Sequence, residues 1–338
     1  MKLEDANHLK EVAGEIINQQ LISPYSSGQS SNLGCQFAFG IHPTGNRNYK
    51  LAVHVPDKSY LSLPAIEQII AQACGEIDVQ VTGAVQPYNQ HEDHFCLKKR
   101  VRPLSIGVSI SHHHELAGTG TLGCFVRKKQ NPSDLFLLSS NHILACKNNA
   151  KTNDSIIQPS QEDGGLLDQN NIAALKAFIP LKNNEYNLVD AAIAKVENTK
   201  VSDPSQLNIP GSLLDISRLK GIHPSKDLEE IEEPIIVLKL GRTTCLTWGR
   251  IRDFNMTQVI HYGYNLKYCF DEMIAIEGLK EQAFSAPGDS GSLIFDEQGY
   301  GVALLLGGTQ SGGKNNKGIT YANPIHHVFN ALDVEIAI

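Results

Sequence analysis

From Leu104 onward the chain runs in short β segments punctuated by Gly, Asn and Pro, and that texture limits the folds open to it. "SIGVSI", "GTLGCFV", "LFLLSS", "SIIQP" and "VDAAIAKV" come first; a polar stretch at 198–230 follows; then "PIIVLKL", "TWGRIRDF", "MIAIEGL", "GSLIF" and "GVALLLGG" resume. Many short strands with few helices mean a sandwich or a barrel. The polar stretch between two such sets predicts two packed β-barrels, about 104–200 and about 231–338. The closing "NPIHHVFNALDVEI" has helical character and is expected to pack on the second barrel.

Upstream the texture differs. Leu3, Ala6, Leu9, Val12, Ala13, Ile16, Ile17 and Leu21 recur at three- and four-residue spacing, an amphipathic helix. "CQFAFGIHPTGNRNYKLAVHV" alternates on both sides of a Pro-Thr-Gly-Asn turn and predicts a hairpin. "LPAIEQIIAQAC" is helical in period, and "EIDVQVTGAV" returns to strand. Residues 1–95 therefore read as a small α+β domain, joined through a linker at 96–103 to a β domain at 104–338.

Composition excludes several classes. Of 338 residues, 41% are hydrophobic and 19% charged, as in a globular chain. No window reaches the roughly 18 apolar residues of a membrane span. The formal charge of −7, with no basic stripe, argues against a nucleic-acid partner. The start "MKLEDANHLKEVAGEI" lacks the apolar core of a secretory signal, so a cytoplasmic location is expected. The seven cysteines are odd in number and form no CxxC pair, which predicts reduced thiols and no designed zinc site; Cys124 and Cys146, flanking a His segment, are the pair to suspect if a disulfide exists.

The stretch that suggests chemistry is "FSAPGDSGSLIF". A tight turn accounts for the Pro and the glycines, but not for a Ser between Gly and a carboxylate at the mouth of a strand. Ser290 there reads as a nucleophile, with exposed backbone N–H groups around it to hold an oxyanion. It needs a base and an orienting acid. "LFLLSSNHILA" offers His142 just after a strand, where a lone His is better explained by backbone hydrogen bonds. "YNLVDAAIAKV" offers Asp190 at the start of an apolar strand, where a carboxylate is costly unless it accepts hydrogen bonds; an edge-strand or turn-cap Asp is the bland alternative. In combination the order His142, Asp190, Ser290 puts base and acid in the first barrel and nucleophile in the second, so a cleft between the two is predicted to hold the site.

These segments resemble the trypsin-like serine proteases of the chymotrypsin fold, from about residue 104 to 332. "SSNHILA", "NLVDAAIAKV" and "PGDSGS" look like that family's His, Asp and Ser segments in the same order. "GTLGCFV", "IIQPSQEDGG" and "GRTTCLTWGRI" are similar to blocks of the plant Narrow-leaf type and its bacterial relatives. Cys245 and Trp248 depart from the Gly and small or polar residue expected there. The resemblance implies a mainly β, chymotrypsin-like double β-barrel following the N-terminal α+β domain. It implies a serine endopeptidase without cofactor, acting on protein or peptide substrates, with Ser290 as nucleophile, His142 as base and Asp190 as its orienting acid. The N–H groups of Gly288 and Ser290 would form the oxyanion hole. Phe284 is placed at the floor of the specificity pocket, with Gly307 and Gly318 on its walls; no acid at the floor suggests a modest apolar preference.

Asp289 has three readings. It pairs with an amine released by cleavage, for instance at Val101 in "LKKRVR"; it pairs with an internal Arg or Lys such as Arg242; or it makes local turn hydrogen bonds. The first would make the chain latent until cut or until a partner docks on residues 1–95, and bacterial relatives encoded beside defence effectors imply such a device. The "HHHE" at 112–115 is a surface His cluster without ligand spacing. A non-cleaving protease-fold binding module is the competing function.

Overall fold

The computed structural model describes residues 1–17, 37–83, 97–114, 118–209, 216–225, 228–230, 234–263, 266–279 and 281–338. The chain is mainly β, and its strands form an eight-stranded and an eleven-stranded sheet that curl into two barrels.

In the first barrel, Asn131–Ser139 pairs antiparallel with Cys124–Lys128 on one side and Ala192–Val196 on the other. The ladder continues through Asn171–Phe178 and Ser155–Ile157 to Ser109–His112, which pairs with Gly120–Thr121. Only Leu122 and Gly123 separate Gly120–Thr121 from Cys124–Lys128. The one bent run therefore closes the sheet and leaves no free edge at that seam. Gly123 sits at the bend, where a Cβ would lie 2.3 Å from the Gly291 carbonyl oxygen.

The second barrel closes in the order Ile236–Gly241, Cys245–His261, Lys267–Gly278, Ile319–Pro324, Tyr300–Gly308, Leu293–Asp296, and back to Ile236–Gly241. One apolar core runs through both barrels, joining Phe125, Leu137 and Ile193 to Leu238, Leu293 and Leu304. Each such large side chain contributes about 1.5–3 kcal/mol on burial. The C-terminal helix Ile325–Leu332 was expected on the second barrel. It does lie against Tyr300–Gly308 and Ile319–Pro324 of that barrel, its buried face of Ile325, Val328, Phe329 and Leu332 joins the shared core, and the chain then returns as strand Val334–Ile336 to pair with Cys124–Lys128.

The N-terminal segment contains the expected helices, Leu3–Ile17 and Pro64–Gln72, and the hairpin Ala38–Gly45 with Asn48–Val55. Its loop is Asn46-Arg47, both with positive φ (52° and 54°), the backbone of a two-residue type I′ turn. Strand Ile77–Val81 adds in parallel. This sheet is continuous with the second barrel: Cys245–His261 is long enough to serve the barrel and also to pair with the hairpin at Ala38↔Gln258 and Ile41↔Phe254. Gly40 permits the approach, since a Cβ there would lie 2.7 Å from the Phe254 carbonyl oxygen. Behind the pairing, buried Asp253 is met by His42 Nδ1 at 2.7 Å and His54 Nε2 at 2.9 Å. Lys10 of the first helix bonds Asn255 at 2.6 Å and Asp271 at 3.0 Å. Among the described residues no helix is long and apolar enough to cross a membrane.

The thiols depart from expectation. Cys245 is disulfide-bonded, whereas Cys74, Cys124 and Cys146 carry free thiols, so the suspected pair Cys124 and Cys146 is not the one joined. An odd cysteine count says nothing of which pair the fold brings together. Cys245 also has φ +54°, so this non-glycine residue takes the backbone a Gly would adopt more easily.

Candidate active site

His142 lies on the short helix Asn141–Leu144, which follows directly from strand Asn131–Ser139. Asp190 precedes Ala192–Val196, the antiparallel neighbour of that strand, so the two side chains come from adjacent strand ends. His142 Nδ1 is 2.6 Å from Asp190 Oδ2, and the His142 backbone N–H donates to Oδ1 at 3.1 Å. Tyr262 donates its hydroxyl to Oδ2 at 2.6 Å, and the Asp190 N–H donates to Asn323 Oδ1 at 3.0 Å. Burial by itself would raise the Asp190 pKa; the His142 charge and these donors more than offset it, so the carboxyl is held below its ordinary value. Asp163 and Asp203, two further acids of this part of the chain, are engaged elsewhere, with Arg242 and Arg218.

Ser290 sits across the junction on the turn before Leu293–Asp296. Gly288 and Gly291 both have positive φ (96° and 86°). A Cβ on Gly291 would meet Ser139 Oγ at 2.0 Å, so the nucleophile turn and the strand leading to His142 are in direct contact. Thr121 clamps the turn from the first barrel: its hydroxyl donates to the Gly288 carbonyl at 2.9 Å and its N–H to the Ser290 carbonyl at 2.9 Å. The Asp289 and Gly291 amides are already bonded, to Ala286 O at 3.1 Å and Leu305 O at 2.8 Å. No hydrogen bond from the amides of Gly288 or Ser290 occurs among the described residues. Ser290 is 1% exposed, and its hydroxyl donates to the Leu306 carbonyl at 3.1 Å rather than to His142.

Asp289 combines two of its three readings. Oδ1 accepts from the Thr243 and Thr244 amides (2.8 and 3.2 Å), and Oδ2 from Ala286 N–H and Thr244 Oγ1 (3.0 and 2.6 Å). Its cation is Lys239, fully buried, Nζ 3.3 Å from Oδ2. Burial pulls the Lys239 ammonium below its ordinary pKa, and Asp289 opposes that pull. Arg242, the internal cation named from the sequence, forks instead onto Asp163 at 2.8 and 2.6 Å, and the Val101 amide donates to Gln158 at 3.0 Å. Arg242 points away because the side chain next to Asp289 belongs to Lys239, three residues earlier on the strand Ile236–Gly241.

Phe284 is buried in the interior of the second barrel, its ring 5.8 Å from Lys239 Nζ and its carbonyl accepting from Thr247. Gly307 pairs with Tyr321, and Gly318 (φ +95°) would push a Cβ to 2.0 Å from the Thr309 carbonyl oxygen. Ser285 and Thr320 share a buried hydroxyl bond of 2.6 Å beside these positions. In the His run, His112 Nε2 meets Asp154 at 3.2 Å and burial lowers its pKa; Glu115 lies outside the described residues. His42, Asp78 and Asp253 converge within 4.8 Å, but Arg252 already bonds both carboxylates.

Lys239, Tyr262 and Asn323 were not singled out from the sequence. For Lys239 a signal existed: a lone cation inside "PIIVLKL" must find a partner if that strand is buried. Nothing in "VIHYGYN" marks Tyr262.

No protein-family model matches the chain, and no curated protein sequence does. Solved structures similar to it include Thermobifida fusca Protease A, at 16% identity over 69% of this chain and 97% of that one, with a TM-score of 0.43. Nocardiopsis Protease is similar at 15% identity over 69% and 98%, TM-score 0.45. A glutamic acid specific serine protease is similar at 17% identity over 69% and 99%, TM-score 0.45. Likeness at this level transfers no activity and no residue role to this chain.

Proposed function

We propose that the chain is a serine endopeptidase. The observation that carries the reading is the 2.6 Å bond from His142 to Asp190, supported by the contact between Ser139, on the strand leading to His142, and Gly291, on the turn that carries Ser290 and two unbonded amides. A carboxylate on Nδ1 fixes the tautomer and leaves Nε2 as the base. Ser290 Oγ rotates from Leu306 O and attacks the peptide carbonyl as Nε2 takes its proton. The developing oxyanion is received by the N–H groups of Gly288 and Ser290, each such donor being worth about 3 kcal/mol at the transition state. His142 then protonates the leaving amine, and water hydrolyses the acyl-enzyme by the same steps in reverse. The resemblance remains the source for a specificity pocket at Phe284, Gly307 and Gly318, of which Phe284 is packed inside the second barrel.

Activity without prior cleavage fits Asp289, whose charge already has Lys239 and four donors. Residues 1–95 then serve to select or dock a protein partner, and the resemblance to the plant Narrow-leaf type and its bacterial relatives remains the source for any defence role. One observation favours the silent-module reading: Ser290 is buried and bonded away from His142. A serine-directed phosphonofluoridate decides. Covalent labelling of Ser290, lost in Ser290→Ala, supports the peptidase, and an unlabelled wild-type chain overturns it.

A further inference from the structure

We infer that Tyr262 is a positioning residue of this site: its hydroxyl, reaching across the barrel junction, holds the Asp190 carboxylate in the orientation that sets the His142 ring. The inference rests on the proposed triad and adds a member that the sequence motifs do not contain.

Tyr262 follows the last residue of strand Cys245–His261, so it belongs to the second barrel, while Asp190 and His142 belong to the first. Its Oη–Oδ2 distance of 2.6 Å is that of a charge-assisted O–H···O⁻ bond. Oδ2 thus receives two donors, Tyr262 Oη and His142 Nδ1, and Oδ1 receives the His142 amide. Without Tyr262 the carboxylate keeps only the His142 ring and backbone N–H groups, and Oδ2 has no donor besides the imidazole it is to orient. The Tyr262 ring also meets the His142 ring edge-on, with centroids 5.4 Å apart and planes at 70°. Tyr268 backs it at 5.4 Å and 77°, and the Tyr262 N–H is tied to Leu266 O at 2.8 Å. The titratable groups facing Tyr262 are Asp190, His142 and Tyr268. Burial, then the Asp190 charge, raises the phenol well above its ordinary pKa, which keeps it a donor at any working pH.

A donor on Asp190 shares the carboxylate's charge and restrains its rotation. Removing it concentrates that charge on the imidazolium formed during reaction, which moves the acidic limb of kcat/KM to higher pH. It also loosens the ring, which lowers kcat. Tyr262→Phe keeps the ring and both aromatic contacts and so leaves the fold in place. The expected result is a fall in kcat of about tenfold with KM unchanged, and an acidic limb displaced upward by about half a pH unit. The low-field proton resonance of His142 Nδ1 should shift as well. That resonance can be read by NMR whether or not the chain cleaves peptides. If phosphonofluoridate fails to label wild-type Ser290, the peptidase reading falls and the resonance still decides the role of Tyr262. A resonance at the wild-type position in Tyr262→Phe overturns the inference, as does a variant whose kcat and acidic limb both match the wild type, which would mark Tyr262 as packing alone.

Discussion

Lys239 and Asp289 form an ion pair in which neither side chain is exposed, Nζ to Oδ2 3.3 Å, one residue before Ser290. Four further donors converge on the same carboxylate, so the turn carrying Ser290 is anchored to the loop at 243–244 and to strand Ile236–Gly241. Breaking a buried pair from one side leaves an uncompensated charge, at a cost of about 3–5 kcal/mol. Lys239→Met should therefore lower the urea unfolding free energy by that amount, and the double variant Lys239→Met with Asp289→Asn should recover part of it. Additive losses in the double variant would show that the two charges do not sense each other.

Ser290→Ala should keep the fold and reduce peptide cleavage by several orders of magnitude, and His142→Ala should do the same because base and nucleophile act as a unit. Asp190→Asn should cost no more than these. Steady-state assay of a peptide substrate checks all three, and cleavage near the wild-type rate in Ser290→Ala would remove that residue from the mechanism.

Cutting the chain after Arg100 should not raise kcat. A new amine at Val101 has no vacancy to fill at Asp289, which Lys239 already occupies, and Val101 N–H is engaged by Gln158. The comparison is between intact and cut protein on one substrate. Strong activation by the cut would show that Asp289 changes partner.

Reduction should lower stability, contrary to what the cysteine count suggests, because Cys245 is disulfide-bonded at the turn that leads into Cys245–His261. A native disulfide is typically worth about 2–4 kcal/mol. Denaturant melts with and without dithiothreitol measure it, and identical midpoints would mean that the bond contributes nothing.

The sequence by itself determined what depends on near neighbours. Alternation within short runs made the strands legible, and helical spacing marked Leu3–Ile17. The PGDSGS turn could be read because its glycines are needed where they stand: Gly288 and Gly291 have positive φ and no room for a Cβ. His142 and Asp190 were legible as candidates from their place at strand ends, and the fold brings them to 2.6 Å. What only the tertiary structure decided are pairings between residues far apart in the chain. Lys239 rather than Arg242 meets Asp289: Lys239 lies inside strand Ile236–Gly241 and Arg242 just beyond its end, both buried, and only the closed barrel shows which of the two faces the turn. The hairpin at 38–55 continues the second barrel's sheet because Cys245–His261 outruns its barrel partner Ile236–Gly241, a surplus that no local pattern encodes. Tyr262 reaches Asp190 for the same reason: the far end of that long strand arrives over the first barrel's acid. A hydrogen bond is set by where two backbones end up, and periodicity reports only which face of its own segment a side chain takes.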